Sequence, residues 1–219
     1  NRTPAAQAEL HVALLDALDL DRVGVACWSG GGPSSYLLAA GHPDRVAALV
    51  GLAAVSGPYT FAGGVDERLL ETKVGAKLID LMADHAPKSL AKSTLAAEGD
   101  LSRSALHALV EHVWDDEAKR AFLLALARDV TGHHDGLDND HAQYPDLGEL
   151  PLASVTAPTL LVHGTVDTDV PPEHSERAAA AIGGAELARV EGGTHLATWT
   201  DPTSGALQAR IAAFLRDGG

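Results

Sequence analysis

The sequence predicts an α/β fold, in which a mostly parallel sheet is flanked by helices and interrupted by a helical cap insertion. Short apolar runs of strand length alternate with stretches of helical spacing, and residues with reactive side chains stand directly after apolar runs. At 219 residues, 46% of them hydrophobic and 21% charged, the chain has the size and composition of a globular protein. We expect one core with a small appended subdomain.

Four apolar runs have strand length, and helical spacing marks the stretches around them. The predicted strands are residues 22–27, 46–54, 159–162 and 186–190. The predicted helices around them are residues 8–18, 33–40, 173–182 and 202–215. Because strands that alternate with helices form parallel sheets, we expect the carboxyl ends of all four strands at one edge of the sheet.

The block between the second and third strands lacks alternation and is typical of a helical insertion. The first of three predicted helices contains a run of large apolar residues, Leu69, Leu70, Leu78, Leu81 and Met82. The second begins at the N-cap Ser102, and the third extends from Asp115 to Val130. A polar loop follows at residues 132–150. We therefore divide the chain into a core segment 1–58, a helical cap 59–150 and a second core segment 151–219.

The first strand ends in the sequence Cys27-Trp28-Ser29-Gly30-Gly31, directly before a predicted helix. A nucleophilic serine needs such a tight strand-to-helix turn, with small residues two positions away on either side. Gly31 meets this requirement, and Cys27 is small enough to replace the usual glycine. The N–H of Gly30, at the start of the helix, is the natural donor to an oxyanion.

The third and fourth strands are also followed by candidate catalytic residues. Asp167 and Asp169 follow the third strand, and His195 follows the fourth. Loops at the carboxyl ends of parallel strands lie at one edge of the sheet, so we expect these groups to converge with Ser29. The order serine, acid, histidine is that of a known hydrolase arrangement. We expect His163, at the end of the third strand, to shape that strand end.

Four motifs together carry a resemblance to a known family: S-G-G-G-P at Ser29, the following H-P-D-R-V, H-G-x-x-D-x-x-V-P at His163, and G-G-x-H ending at His195. In this order and spacing they resemble the α/β-hydrolase superfamily, in its esterase, lactonase and peptidase-like branch. The resemblance implies that Ser29 is the nucleophile, His195 the general base and Asp167 the acid. The spacing D-x-x-V-P favours Asp167, with Asp169 as the alternative. No organic cofactor is implied.

The resemblance also implies that the sequence covers the C-terminal part of an α/β-hydrolase fold. The sheet of that fold normally has eight strands and places the nucleophile after the fifth, whereas Ser29 follows the first predicted strand here. The sequence begins at Asn1 without Met, and we expect four earlier strands, with the second oxyanion-hole amide, to lie outside it. A separate N-terminal fragment, produced by proteolytic nicking, would pair with the open edge of strand 22–27. Alternatively, the first half of the fold is simply not included in this sequence.

Charge and cysteine content exclude several classes of partner. The formal net charge of −14 disfavours nucleic acid and anionic membranes, and no apolar run approaches the length of a membrane span. The single cysteine, Cys27, excludes an internal disulfide and suits a reducing compartment, so we expect a cytoplasmic protein. Residues 132–141 are rich in His and Asp, but their spacing matches neither an EF-hand loop nor a known zinc-binding helix. We expect no metal there, and Asn139 or Asp140 facing the substrate cleft.

The expected function is that of a serine hydrolase acting on a carboxylic ester, lactone or amide of a small molecule. Trp28 would line the acyl pocket for this substrate or, alternatively, pack against the cap. The same triad would serve an acyltransferase or a cofactor-free haloperoxidase. A non-catalytic binding protein that keeps the fold is a further alternative. A serine at position 29, where dehalogenases and epoxide hydrolases would have aspartate, argues against those two activities.

Overall fold

The computed structural model describes residues 2–60, 73–129 and 134–218. In these ranges four parallel strands form one sheet in the order β1-β2-β3-β4. The strands are β1 (Val23–Trp28), β2 (Val46–Leu52), β3 (Thr159–Gly164) and β4 (Glu186–Val190). The predicted α/β class and parallel sheet are therefore confirmed.

Helices cover the sheet and fill the long connection between β2 and β3. They are α1 (Pro4–Ala17), α2 (Gly32–Gly41), α3 (Lys73–His85), α4 (Pro87–Ala97), α5 (Arg103–Asp115), α6 (Glu117–Asp129), α7 (His134–Gln143), α8 (Glu173–Ala181), α9 (Ala197–Thr200) and α10 (Ser204–Asp217). The predicted N-cap of α5 is confirmed, since the Ser102 hydroxyl accepts a hydrogen bond from the N–H of Ala105 at 3.2 Å. None of the helices in the described ranges is long and apolar enough to cross a membrane.

The two central strands, β2 and β3, are almost completely buried because their mostly apolar side chains alternate between two helical layers. Leu49 and Leu161 belong to a cluster with residues of α1, α2 and α8. Val50 and Leu160 belong to a cluster on the other face with residues of α9 and α10. Each such buried side chain contributes roughly 1.5–3 kcal/mol of transfer free energy. This core holds the carboxyl ends of the strands in place.

Strand β1 lies at the edge of the sheet, with β2 as its hydrogen-bonded neighbour in the described residues. Gly24 and Ala26 in β1 are exposed. Helix α1, which packs against α2, exposes Leu10, Leu14 and its C-cap residue Leu18 by 51%, 54% and 58%. An unpaired strand edge is a template for pairing with another segment. The pairing of β1 with an N-terminal fragment stays a prediction.

The structure corrects the prediction for the inserted helices. An additional helix, α4, turns Leu90, Ala91 and Leu95 inward, and it begins with Pro87, which is pre-organised for a first turn. Helix α7 replaces part of the loop predicted at 132–150. The sequence of α7 has no apolar stripe from which a helix could be predicted. The helix dipole is favoured by Asp135 in the first turn and His141 in the last turn. The predicted helix residues Leu69, Leu70 and Val130 lie outside the described ranges.

The chain segments that lead into and out of these helices meet. The backbone N–H of Tyr59 donates to the carbonyl of Tyr144 at 3.0 Å. The chain therefore enters and leaves the stretch between Tyr59 and Tyr144 at one point. The boundaries of the predicted cap, at residues 59 and 150, stay a prediction.

Candidate active site

Ser29 occupies a strained turn at the carboxyl end of β1. Its φ of 51° lies in the left-handed region, which costs a residue with a side chain roughly 1–3 kcal/mol and persists only where the surroundings impose it. The carbonyl of Ser29 accepts a hydrogen bond from the N–H of Val55 at 3.0 Å. A Cβ on Gly32 would lie 2.2 Å from the carbonyl oxygen of Val55. The segment after β2 therefore holds the serine turn and needs a glycine in the first turn of α2.

Helix α7 and the residue after it pack against Gly30, the residue that follows the serine. The Tyr144 hydroxyl donates to the carbonyl of Gly30. A Cβ on Gly30 would lie 3.2 Å from Oδ2 of Asp140, so the carboxyl of Asp140 lies beside the serine turn. Burial raises the pKa of Asp140, and its contacts with Asn139 and Tyr144 only partly oppose this. The side-chain amide of Asn139 also donates to the carbonyl of Arg2 at 2.8 Å.

Asp167 is completely surrounded by hydrogen-bond donors. Its Oδ2 lies 2.8 Å from Nδ1 of His195 and 3.1 Å from Nε2 of His163. Its Oδ1 accepts from the N–H groups of Asp169 and Val170 at 2.9 and 3.0 Å. Burial by itself raises the pKa of Asp167, but the two histidines outweigh burial, so the net pKa is lowered. The carboxyl is therefore held as a buried anion.

His195 has one ring nitrogen bonded and the other without a hydrogen bond. Nδ1 donates to Asp167, whereas Nε2 is buried and has no hydrogen-bond partner within residues 2–60, 73–129 and 134–218. Oδ2 of Asp169 lies 3.3 Å from Nε2, an ion-pair distance without hydrogen-bond alignment. Burial lowers the pKa of His195, but the carboxylate of Asp167, helped by Asp169 and Glu98, outweighs burial and raises it. The structure thus pairs the predicted acid and histidine.

Ser29 is not hydrogen-bonded to His195 in this structure, since Nε2 has no such partner. The residue before the serine, Trp28, contacts the histidine instead: its ring centroid lies 5.3 Å from that of His195. Trp28 also packs edge-on against Trp199 at 4.9 Å, and Trp199 stacks on Phe122 of α6 at 5.4 Å. These contacts show how Trp28 packs. Its role in binding substrate stays a prediction.

A segment that the sequence did not single out holds the loops of the acid and the histidine together. The carbonyl of Glu98 accepts from the N–H of His195 at 2.9 Å, and the N–H of Asp100 donates to the carbonyl of Val166 at 2.9 Å. A Cβ on Gly99, between them, would lie 2.8 Å from that same carbonyl oxygen. The only local signal for this role is Gly99, and a glycine just after a helix is also common wherever a helix ends.

His163 contacts the acid directly, beyond the role in shaping the strand end that its position predicted. Its Nε2 faces two acceptors, the carbonyl of Val170 at 2.8 Å and Oδ2 of Asp167 at 3.1 Å. Nε2 must therefore carry a proton, and Nδ1 is hydrogen-bonded to the Ser175 hydroxyl at 2.6 Å. His163 and His195 thus share the same oxygen of Asp167, Oδ2.

A comparison with protein families gives this arrangement its context. The family profile described as the alpha/beta hydrolase fold matches residues 2–202. The chain belongs to the α/β-hydrolase fold family. The match spans all four strands and the loops that carry Ser29, Asp167 and His195. The resemblance carried by the four sequence motifs is thereby confirmed.

Solved structures of other α/β hydrolases share the fold. An alpha/beta hydrolase fold protein from Nakamurella multipartita is 49% identical, with a TM-score of 0.95 over 100% of this chain and 78% of that one. The enol-lactonase from Burkholderia xenovorans LB400 is 21% identical, with a TM-score of 0.63 over 98% and 73%. A meta-cleavage product hydrolase from Pseudomonas fluorescens IP01 is 14% identical, with a TM-score of 0.64 over 100% and 74%. The last two show likeness of fold alone. No curated protein matches the sequence.

Proposed function

We propose that this α/β hydrolase is a serine hydrolase that cleaves a carboxylic ester, lactone or amide of a small molecule through a seryl acyl-enzyme. Family membership supports a hydrolase. The observation that carries the finer proposal is His195, which is bonded through Nδ1 to the buried Asp167 at 2.8 Å while Nε2 has no hydrogen bond. A neutral imidazole in this state is ready to accept a proton.

In the acylation step the Oγ of Ser29 attacks the acyl carbon, and its proton passes to Nε2 of His195. Asp167 stabilises the imidazolium that forms and fixes the tautomer of the ring. The Oγ must come within hydrogen-bond reach of Nε2 for this transfer. Such bonds are often long in the free enzyme and shorten once substrate is bound. The left-handed turn at Ser29 leaves the hydroxyl at the end of the strand, where the substrate arrives.

The tetrahedral intermediate places a negative charge on the former carbonyl oxygen. The N–H of Gly30, in the 3₁₀ turn Ser29–Gly31 directly before α2, would donate to that oxygen, and the partial positive charge of the nearby helix end adds to the effect. The bond to the leaving group then breaks, and His195 returns the proton to the departing oxygen or nitrogen. Water repeats the sequence on the acyl-enzyme, releases the acid and restores Ser29.

The test is covalent labelling of the purified protein with a fluorophosphonate, followed by mass spectrometry, alongside hydrolysis of nitrophenyl esters. We expect one adduct on Ser29, and loss of both labelling and turnover in Ser29→Ala. A matched control is Ser93→Ala, which alters an exposed serine on α4 and should leave both unchanged. Turnover that persists in Ser29→Ala contradicts the proposal. A folded protein with neither label nor turnover would instead be a binding protein.

A further inference from the structure

Three potential metal ligands converge on the unbonded side of His195. A carboxylate oxygen of Glu98, a carboxylate oxygen of Asp169 and Nε2 of His195 all lie within 4.8 Å of one another. Each comes from a different segment: Glu98 follows α4, Asp169 follows β3 and His195 follows β4. The hydrogen bond from the N–H of His195 to the carbonyl of Glu98 holds two of these segments together. The three side chains are therefore placed before any ligand arrives.

Nε2 is the ring nitrogen of His195 that faces the other two ligands. Nδ1 donates to Asp167 at 2.8 Å, so the lone pair of the neutral ring lies on Nε2. His195 is 3% exposed, and its Nε2 is a buried atom without a hydrogen-bond partner. Histidines that bind metal ions characteristically donate their other N–H to a carboxylate, which orients the ring and raises its basicity. Asp167 supplies that carboxylate.

The distances suit a small divalent cation. Zinc binds histidine nitrogen and carboxylate oxygen at about 2.0–2.2 Å, so two such ligands at a tetrahedral angle lie about 3.4 Å apart. The separation between Oδ2 of Asp169 and Nε2 of His195 is 3.3 Å. Two carboxylates and a neutral imidazole would neutralise the charge of the ion. The mixture of nitrogen and oxygen ligands favours zinc over magnesium, which prefers oxygen ligands alone.

We propose that Glu98, Asp169 and His195 form a binding site for a divalent transition-metal cation, with zinc as the best fit, and that the bound ion inhibits the enzyme. The ion occupies Nε2, which then cannot accept the proton of Ser29. Binding itself depends only on the three ligands, whereas inhibition rests on the proposed function. Zinc and substrate would thus compete for the same histidine.

The test is isothermal titration of the untagged, chelator-treated protein with zinc chloride, together with nitrophenyl ester hydrolysis in the same buffer. We expect one zinc ion to bind per chain, turnover to fall in step with binding, and EDTA to restore it. Magnesium chloride at the same concentration should have no effect. Glu98→Gln and Asp169→Asn, which keep side-chain size, should each weaken zinc binding at least about tenfold, because losing a ligand costs no less than losing an outer-shell partner.

The control is Glu9→Gln, which removes an exposed carboxylate on α1 and should leave zinc affinity unchanged. Zinc binding that persists at full strength in Glu98→Gln and Asp169→Asn overturns the site, since the ion would then lie elsewhere. So does an absence of binding in an active, folded protein. Binding that responds to both variants in a protein without turnover upholds the site and refutes the hydrolase proposal. The two claims therefore fail separately.

Discussion

Two histidines at neighbouring strand ends contact the same carboxylate and differ in what their second nitrogen does. His163 at the end of β3 and His195 after β4 lie 3.1 and 2.8 Å from Oδ2 of Asp167, and both side chains are almost fully buried. The other nitrogen of His163 is bonded to Ser175, whereas that of His195 has no hydrogen bond. Burial and a carboxylate partner therefore do not identify a general base. Under the proposed function, the unbonded Nε2 is what distinguishes His195 from His163.

The largest expected effect is the loss of the unbonded nitrogen. We predict that His195→Gln lowers kcat for nitrophenyl ester hydrolysis by about 10⁵-fold or more, because no base remains to accept the serine proton. The rate of fluorophosphonate labelling of Ser29 should fall with it. His163→Gln is the matched control. If the two variants lose similar amounts of activity, the distinction between the histidines is wrong.

The next effect concerns the carboxylate that the two histidines share. We predict that Asp167→Asn lowers kcat by about 10³- to 10⁴-fold, because an amide at this position favours the wrong tautomer of His195. Asp169→Asn should cost much less, since its Oδ2 faces Nε2 and cannot hold the ring tautomer. Steady-state kinetics of both variants decide the point. A larger loss in Asp169→Asn would make Asp169 the acid.

A smaller effect is expected for His163, as a positioning residue. His163→Leu removes a hydrogen bond to a buried carboxylate, and such bonds contribute about 1.5–3 kcal/mol, so kcat should fall roughly tenfold or more. Asp167 then attracts the proton on His195 more strongly, which raises the pKa of His195. The acidic limb of the kcat/KM profile should therefore move to higher pH. His163→Gln keeps a donor and should reverse most of this shift. A purely structural role would lower kcat without moving the profile.

The smallest effect extends the comparison to stability and to a third buried histidine. Nδ1 of His174 accepts from the N–H of Ser56 at 3.0 Å, and burial, with the nearby charge of Arg177, lowers the pKa of His174 from 6.5 to about 4. The unfolded chain therefore binds a proton between these values that the folded protein excludes, so stability should fall as pH drops from 6.5 towards 4.

Urea unfolding at pH 7, 5.5 and 4 measures this loss. His174→Gln has no titratable ring, and the free energy of unfolding of this variant should fall less over the same range. Carboxylates such as Asp167 titrate in both proteins, so the difference between the two slopes isolates the histidine. Equal slopes would show that His174 does not contribute to acid sensitivity.

The sequence contained enough information for the sheet and for the positions of the reactive groups. Ser29, Asp167 and His195 each follow an apolar run, and parallel strands bring such positions to one edge. The pairing of Asp167 rather than Asp169 with Nδ1 agrees with the D-x-x-V-P spacing. These inferences worked because they depend on local pattern and on the direction of strands, which apolar runs reveal.

Contacts between distant segments were beyond the reach of the pattern. The bond from the N–H of His195 to the carbonyl of Glu98 joins residues far apart in the chain, and neither has a local signal for it. The placement of Asp140 beside Gly30 depends on α7, whose sequence lacks an apolar stripe. His163 was expected only at a strand end, because its second contact with Asp167 requires the turn after β3.

The meeting of Tyr59 and Tyr144 has an evolutionary consequence. The stretch between Tyr59 and Tyr144 begins and ends at one hydrogen-bonded point, so it can change in length or be exchanged while the strands keep their register. One restriction on such exchange is the segment 98–100, which must still meet the loops of the acid and the histidine. Descendants of this chain can therefore alter the insertion while inheriting the strand ends that carry Ser29, Asp167 and His195 unchanged.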